Sequence, residues 1–367
     1  MDTYRHPSPE ANLSPLHGRG AVGNVAHRFQ QLQRSPDRAP LPEPVRTQVA
    51  SEEARSLLTY NRSPDIPFDR AINPYRGCEH GCTYCYARPT HAYLGYSPGL
   101  DFETRLIAKV NSVELLRREL SRPGYKVAPV TIGSITDGYQ PIERHWRLTR
   151  GVLQVLLEAR HPVVIITKNA LVQRDLDLLA QLARRRLVGV LFSITTLEPE
   201  TARMLEPRAA APWKRLEAMQ ALAHAGVPVG VMVAPLIPFI TDIQLERVLA
   251  AAAQAGASIA GYTVLRLPHE VREVFEQWLQ ARFPERAQRV LRRLEDLNAR
   301  DASGRRASSR FGARMHGEGL WAQLLAQRFA VASRRHGLAQ GGFNLDSSQF
   351  RPPAPSGQGL LFPEEDV

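Results

Sequence analysis

The sequence predicts an α/β fold, and three observations carry that reading. Short runs rich in branched apolar residues punctuate the chain: "VTIGSITD" from Val130, "VVIITKN" from Val163, "GVLFSITT" from Gly189, "VPVGVMVAP" from Val227 and "SIAGYTVLRLP" from Ser258. Between them lie "LTRGVLQVLLEAR", "LVQRDLDLLAQLARRR", "PWKRLEAMQALAHAG" and "DIQLERVLAAAAQAG", whose apolar residues recur at three and four, the period of a half-buried helix. The runs are continuous rather than alternating, which suits parallel strands covered on both faces.

Taken in order, residues 1–64 are rich in Pro, Ser, Arg and Gln without a sustained apolar period, and are expected to form a largely disordered arm. A first strand at about 69–74 would bring the count of strand and helix units to six across residues 65–268. No glycine-rich fingerprint opens any of the helices, which disfavours a dinucleotide-binding sheet. A partial (β/α)6 TIM-type barrel fits better, and in such barrels functional residues sit at the carboxyl ends of the strands. Those ends carry Ser134, Thr136 and Asp137, then Thr167 and Lys168, then Ser193 and Thr195, and last Arg266. Beyond Pro268 three amphipathic segments, at about 269–281, 286–300 and 317–335, form a basic helical extension (269–337), and 338–367 reads as a flexible tail.

Charge and composition narrow the class. The 367 residues carry a net charge of +11, and a basic balance of this size points to a polyanionic partner such as nucleic acid or to an arginine-biased surface. Only four of the basic residues are lysines: Lys109, Lys126, Lys168 and Lys214. No apolar stretch follows the opening "MDTYRHPSPE", and the longest, Val227 to Ile240, falls short of the ~20 residues a membrane span needs, so no membrane contact and a cytoplasmic location are expected.

All three cysteines, Cys78, Cys82 and Cys85, fall in "CEHGCTYC", spaced Cys-x3-Cys-x2-Cys. Clustered thiols of odd number in a reducing compartment argue for metal or catalysis over disulfides. Soft sulfur ligands select zinc, copper(I) or an iron–sulfur cluster. A structural zinc site wants a fourth ligand, for which His80 and His91 are the nearby histidines. A cubane cluster with one iron lacking a protein ligand, a zinc site and a reactive thiol site all remain open on spacing alone.

With Tyr84 in the aromatic slot before the last cysteine, "CEHGCTYC" resembles the signature of the radical S-adenosylmethionine (SAM) superfamily, and more narrowly the branch that includes spore photoproduct lyase and DNA repair photolyase-like proteins. The resemblance covers about residues 67–268. It implies that Cys78, Cys82 and Cys85 hold a [4Fe–4S] cluster whose fourth iron is chelated by the amino and carboxylate groups of SAM. Reductive cleavage would then give methionine and a 5′-deoxyadenosyl radical, with the electron coming from an external donor such as flavodoxin or ferredoxin. Matched residue by residue, Thr136 and Asp137 stand where the lyase branch has a Ser-Asp pair near SAM, with Ser134 alongside. Lys168 stands where a lysine contacts the SAM carboxylate, and Ser193 where a serine contacts SAM. Tyr84 and Tyr86 are placed to pack on the adenine. Asp137 and Lys168 are the residues expected to serve catalysis. One position departs from the branch: Ile135 occupies the place of the lyase's hydrogen-donating cysteine, which leaves the substrate open. Gln140 and Glu143 in "YQPIE" face the cavity or cap the turn before the next helix.

Outside the barrel, twelve arginines against five acids between Pro284 and Gly337 suit a phosphate-binding surface as well as a solvated helix face. In "RMHGEGLW" Glu318 is placed to favour the positive end of a helix. The tail segment "QGLLF", residues 358–362, resembles the short peptide by which bacterial DNA enzymes dock on the sliding clamp, with Gly359 where that motif has leucine.

Overall fold

Each apolar run becomes a strand of one sheet. In the computed structural model, which describes residues 15–30, 45–298 and 310–354, the strands are β1 (Gln48–Glu52), β2 (Leu58–Tyr60), β3 (Arg70–Ile72), β4 (Tyr75–Arg76), β5 (Arg105–Lys109), β6 (Val130–Ile132), β7 (Val163–Thr167), β8 (Val188–Ser193), β9 (Val229–Leu236), β10 (Ile259–Val264) and β11 (Ala339–Gln340). The main sheet runs in the order β2, β3, β6, β7, β8, β9, β10, β11. From β3 to β10 every neighbour is parallel, β2 adds antiparallel at one edge, and β11 adds parallel at the other. The fold is therefore mixed α/β around an open central sheet with two free edges, and no pairing between β2 and β11 closes it among the described residues.

The apolar runs follow from burial: Val130, Ile132, Val163, Ile165, Val188, Val190, Val229 and Val231 line one buried face, and Val164, Ile166, Leu191 and Met232 on the other face are half-buried. Helices Leu148–Glu158, Leu176–Arg184, Pro212–His224 and Leu245–Gln254 return the chain from one strand to the next. Their buried residues, such as Val152, Leu156, Leu179, Leu182, Leu222 and Val248, meet the strands in one core.

The long crossover between β3 and β6 supplies β4 and β5 of a small second sheet, β1-β5-β4. Here β4 pairs antiparallel with β5, and the Cys78 amide donates to the carbonyl of Phe102 at 2.9 Å. The cysteine loop thus starts from a fixed strand end. Within the segment expected as an arm, β1 completes this sheet, β2 edges the main one, and residues 15–30 pack beside the cysteine loop. The reason is hydrogen bonding rather than apolar periodicity, which the segment lacks.

The extension consists of helices Val271–Arg282, Pro284–Leu297 and Leu320–Arg335. Phe275, Trp278, Leu279, Val290 and Leu294 build a second core that also contains Cys82, Tyr84 and Leu205. Glu318 lies just before the last helix and is ion-paired with Arg310, while the Val264 amide donates to the carbonyl of Met315 at 2.8 Å. Past β11, the Phe343 ring covers Gly189, and the amides of Asp346 and Arg351 donate to the carbonyls of Arg186 and Ala159 at the amino ends of β8 and β7. The 358–362 peptide lies outside the described residues.

Beside that contact, His161 is inaccessible, with Nε2 2.8 Å from the Tyr125 hydroxyl and Nδ1 2.9 Å from the Pro162 carbonyl, and burial pushes its pKa down to about 4. The unfolded chain binds a proton on this ring below about pH 6.5 and the folded chain resists it until about pH 4, so stability falls as pH drops through that window. His161→Phe is expected to flatten the fall in unfolding midpoint between pH 6.5 and 4 relative to the parent, by an amount on the order of 1.4 kcal/mol per pH unit in thermal melts.

Candidate active site

The carboxyl ends of β3, β6, β7 and β8 meet at the cysteine loop, and buried polar side chains hold them there. Asn73, just past β3, donates from Nδ2 to Ser134 Oγ at 3.2 Å and accepts from the amides of Ile135 and Thr136 at 3.0 and 3.2 Å. Thr136 Oγ1 donates to the carbonyl of Tyr75 at 3.2 Å. Ser134 and Thr136 are thereby brought beside the start of the cysteine loop, and the Ile135 side chain is left 38% exposed.

Asp137 is the junction of the site. Its Oδ1 accepts from the Tyr139 amide and from Thr167 Oγ1, each at 2.8 Å, and its Oδ2 accepts from the Lys168 amide at 2.7 Å. His80 Nδ1 stands 3.4 Å from the same Oδ2, while its Nε2 faces Asn169 Nδ2 at 3.2 Å. These partners assign the ring proton to Nδ1, and burial drives the His80 pKa down to about 4, so the ring is neutral. Both ring nitrogens are engaged. His91 is likewise committed to packing, with Nε2 2.8 Å from the Arg105 carbonyl and its ring edge-on to Phe102.

Two further clamps fix the cysteine loop. Gln140 accepts from the Glu79 amide at 2.8 Å and donates to the Gly77 carbonyl at 3.3 Å, bracketing Cys78. Arg88, fully buried, donates to the carbonyls of Gly81 and Cys82 at 3.2 and 2.9 Å and to those of Pro98 and Gly99 at 3.1 and 2.8 Å, while pairing with Glu103 at 2.5 Å. Glu143 serves as the cap of helix Leu148–Glu158, accepting from the Thr149 and Arg150 amides at 3.1 and 3.3 Å and from Arg174 at 2.7 Å.

On the β8 side a buried ion pair joins Glu206 to Arg215. Glu206 also accepts from the Tyr84 hydroxyl and from Thr195 Oγ1, and Arg215 donates to the Ser193 carbonyl at 2.8 Å. Tyr84 is buried through this contact, whereas the Tyr86 ring is exposed and its hydroxyl donates to the Ser134 carbonyl. Ser193 is buried at the end of β8. The amides of Thr83, Arg208 and Ala210 donate to the carbonyls of Leu205, His80 and Lys168, which knits the segment after β8 to the loop.

Lys168 sits among these groups. Burial opposes its charge, but Cys82, Glu206, Asp137 and Cys85 outweigh that opposition and push its pKa up to about 12. It is a fixed cation, and its ammonium has no hydrogen-bonded partner among the described residues. Burial works to raise the Glu206 carboxyl, yet Arg215 and Lys168 hold it below the usual carboxylate range. Asn73, Arg88, Glu103, Glu206 and Arg215 were not among the residues singled out in the sequence; the fully buried Arg88 and Arg215 sit in stretches where arginine is common everywhere.

The comparisons with known proteins fall in line with this geometry. The family model for the radical SAM superfamily matches residues 72–252. An uncharacterized protein of Mycobacterium tuberculosis is 40% identical over 244 residues, covering 65% of this chain and 71% of its own. The chain belongs to the radical SAM superfamily. An uncharacterized protein of Methanocaldococcus jannaschii is 26% identical over 197 residues, covering 54% of this chain and 71% of its own. Among solved structures, spore photoproduct lyase complexed with dinucleoside spore photoproduct aligns with a TM-score of 0.57 at 18% identity, over 80% of this chain and 81% of that one. A variant of the lyase with bound AdoMet and dinucleoside spore photoproduct aligns with a TM-score of 0.55 at 18% identity, over 81% and 82%. These likenesses show a shared fold.

As a radical SAM enzyme the protein carries radical chemistry, and its donor set fits the superfamily's cofactors in kind. Cys85 packs against two buried groups, one holding Cys78 and the other Cys82. Burial foremost, then the Asp137 charge and the neighbouring thiols, raises Cys78, and burial pushes Cys82 up to about 12 against the pull of Lys168. Ionising three thiols here would need a compensating cation, which a bound metal centre would supply. Among the described residues no group of three or more His, Cys, Asp or Glu side chains is arranged to hold a single metal ion.

Removing one partner of a buried ion pair leaves the other charge uncompensated. Arg215→Met should lower the urea unfolding free energy of the metal-free protein by about 3–5 kcal/mol, and Tyr84→Phe, which removes one of several donors to Glu206, by about 1 kcal/mol. The reverse order would show that Glu206 depends on Tyr84 rather than on Arg215.

Proposed function

We propose that Cys78, Cys82 and Cys85 hold a [4Fe–4S] cluster at the mouth of a partial (β/α)6 barrel, that SAM binds beside it, and that the substrate is a nucleic acid undergoing repair or modification. The observation that carries the cofactor reading is the unpartnered ammonium of Lys168, held beside Cys82 and Cys85. A compact fixed cation at that place is suited to a carboxylate such as that of SAM.

Bound there, the cluster and SAM supply one-electron reductive cleavage of a sulfonium bond and hydrogen-atom abstraction. The chain's own residues do the positioning. Asp137 fixes the Lys168 main chain through the amide and holds the cysteine loop by facing His80. Ser134, Thr136 and Ser193 line the strand ends where SAM's polar groups would lie. Tyr86 offers its open ring as an apolar face for the adenine, while Tyr84 is tied to Glu206 and packs behind. With Ile135 in place of a thiol, the hydrogen returned to product comes from elsewhere, and an acidic one-electron donor such as flavodoxin or ferredoxin supplies the electron.

The substrate class rests on charge and stacking. Helix Pro284–Leu297 exposes Arg286, Arg289 and Arg292. Arg289 lies 4.0 Å over the ring of Phe239, which follows the carboxyl end of β9, and Arg293 lies 4.7 Å over Trp321. A row of guanidiniums on aromatic faces suits phosphates and bases together. The lyase of similar fold is named for a dinucleoside lesion. Among the described residues no helix is long and apolar enough to cross a membrane.

Anaerobic reconstitution with iron and sulfide, reduction and addition of SAM should yield 5′-deoxyadenosine, lost in Cys82→Ala. Lys168→Ala should keep the cluster and raise the KM for SAM about 10- to 100-fold, the size of one charge-assisted contact. Bound zinc without acid-labile sulfide would overturn the enzyme reading. For the substrate, Arg286→Ala with Arg292→Ala should reduce the slope of log affinity against log salt for oligonucleotides by about 0.7–0.9 per lost phosphate contact. An unchanged slope would remove this helix from the interface.

A further inference from the structure

The N-terminal segment makes contacts that the proposed chemistry does not use. Glu103 is completely buried, and Arg88 supplies it with one side-chain donor. Its other donors come from more than eighty residues earlier in the chain: the Gly20 amide reaches Oε2 at 2.9 Å and the Ala21 amide reaches Oε1 at 2.8 Å. Arg19, 5% exposed, donates to the Glu103 carbonyl at 3.2 Å, to the Val45 carbonyl at 2.6 Å and to Thr47 Oγ1 at 3.0 Å. The segment then runs along the far side of the same loop. The Leu100 amide donates to the Gly23 carbonyl at 3.1 Å, and Ser97 Oγ accepts from the Val25 amide at 2.9 Å while donating to the Val25 carbonyl at 2.8 Å. Ala21 and Val25 close on Val274 of helix Val271–Arg282, and Arg28 pairs with Glu270 at 3.2 Å.

The approach is as close as backbone allows. A Cβ on Gly20 would fall 1.7 Å from the carbonyl oxygen of Gly81, the residue before Cys82, so only glycine permits the contact. A buried carboxylate left with a single partner is costly, and Arg88 also carries the Gly81 and Cys82 carbonyls. Undocking residues 19–25 would therefore strip Glu103 of two of its donors, leave Arg88 as its remaining side-chain partner and open the Gly81 carbonyl, beside Cys82, to water.

We propose that residues 19–25 are a strap that closes the cysteine loop against solvent, and that Glu103, acting through Arg88, is the positioning residue for its Cys82 side. This rests on the cluster reading above, and the test separates the two. Gly20→Val removes the strap's seat, Glu103→Gln removes the charge that holds it, and Ser97→Ala loosens its far end without touching Gly81.

In the metal-free protein, trypsin should cut after Arg19 and Arg28 on the order of tenfold faster in Gly20→Val than in the parent, with the far-ultraviolet circular dichroism unchanged. If Gly20→Val does not fold, Ser97→Ala should show the same acceleration to a smaller degree. In the reconstituted protein, Gly20→Val and Glu103→Gln should bleach several-fold faster in air. Their cluster midpoint potential, followed by EPR during redox titration, should shift positive, because water favours the more negatively charged reduced state. Cleavage at the parent rate in every variant overturns the strap. Released cleavage with parental bleaching and potential overturns its role toward the cluster. A parent protein that takes up no iron–sulfur cluster overturns the cluster reading, and the trypsin result then decides the strap alone.

Discussion

The carboxylate of Asp137 joins the turn after β6 and the end of β7, two strands paired in the sheet, to the cysteine loop, which belongs to neither. Burying a carboxylate costs several kcal/mol unless its lone pairs are met by donors, and here two amides, a hydroxyl and an imidazole N–H meet them. The consequence for function lies one residue on. Because Asp137 meets Lys168 through the main-chain amide, the side-chain ammonium is not consumed by that carboxylate. It stays a cation, supported by the charges of Cys82, Glu206, Asp137 and Cys85, which is why the proposed reading gives it an incoming carboxylate.

The same logic recurs around the loop. Coil without a ladder cannot satisfy its own backbone groups, so buried side chains do it: Gln140 on either side of Cys78, Arg88 on the carbonyls of Gly81 and Cys82, and Asn73 on the amides of the turn that holds Ser134. Apolar packing finishes the job from outside. The extension after Pro268 shares a core with Cys82 and Tyr84, so it is part of the wall of the site as well as a basic surface. The exposed arginines of Pro284–Leu297 and the buried residues that anchor them belong to opposite faces of one helix.

What the sequence made legible follows periodicity and spacing. The five branched runs and the helices between them stood out because burial of the sheet keeps its strands mostly apolar, and the strand ends stood out because polarity returns there abruptly. The cysteine motif with Tyr84 in its aromatic slot carried the resemblance to the superfamily, where the cysteine spacing alone left zinc and a reactive thiol open. By contrast β1, β2, β4 and β5 are two to five residues long and partly exposed, so they leave no period to read. Glu103, Glu206, Arg88 and Arg215 escaped for another reason: in a chain with so many arginines, only the fold separates a buried guanidinium from a solvated one. Gln140 had been balanced between cavity and cap, and its side chain goes to the loop backbone. The resemblance places Tyr84 near the adenine, and the structure adds that its hydroxyl donates to Glu206.

The central claim is that the three thiols leave one iron open to SAM. Electron–nuclear double resonance on the reduced, reconstituted protein with SAM labelled with 15N at the amino group tests it directly. The account predicts a nitrogen hyperfine coupling of direct iron coordination, present in the parent and absent when SAM is withheld. A cluster that forms and reduces yet shows no coupling to the labelled amino group would contradict it.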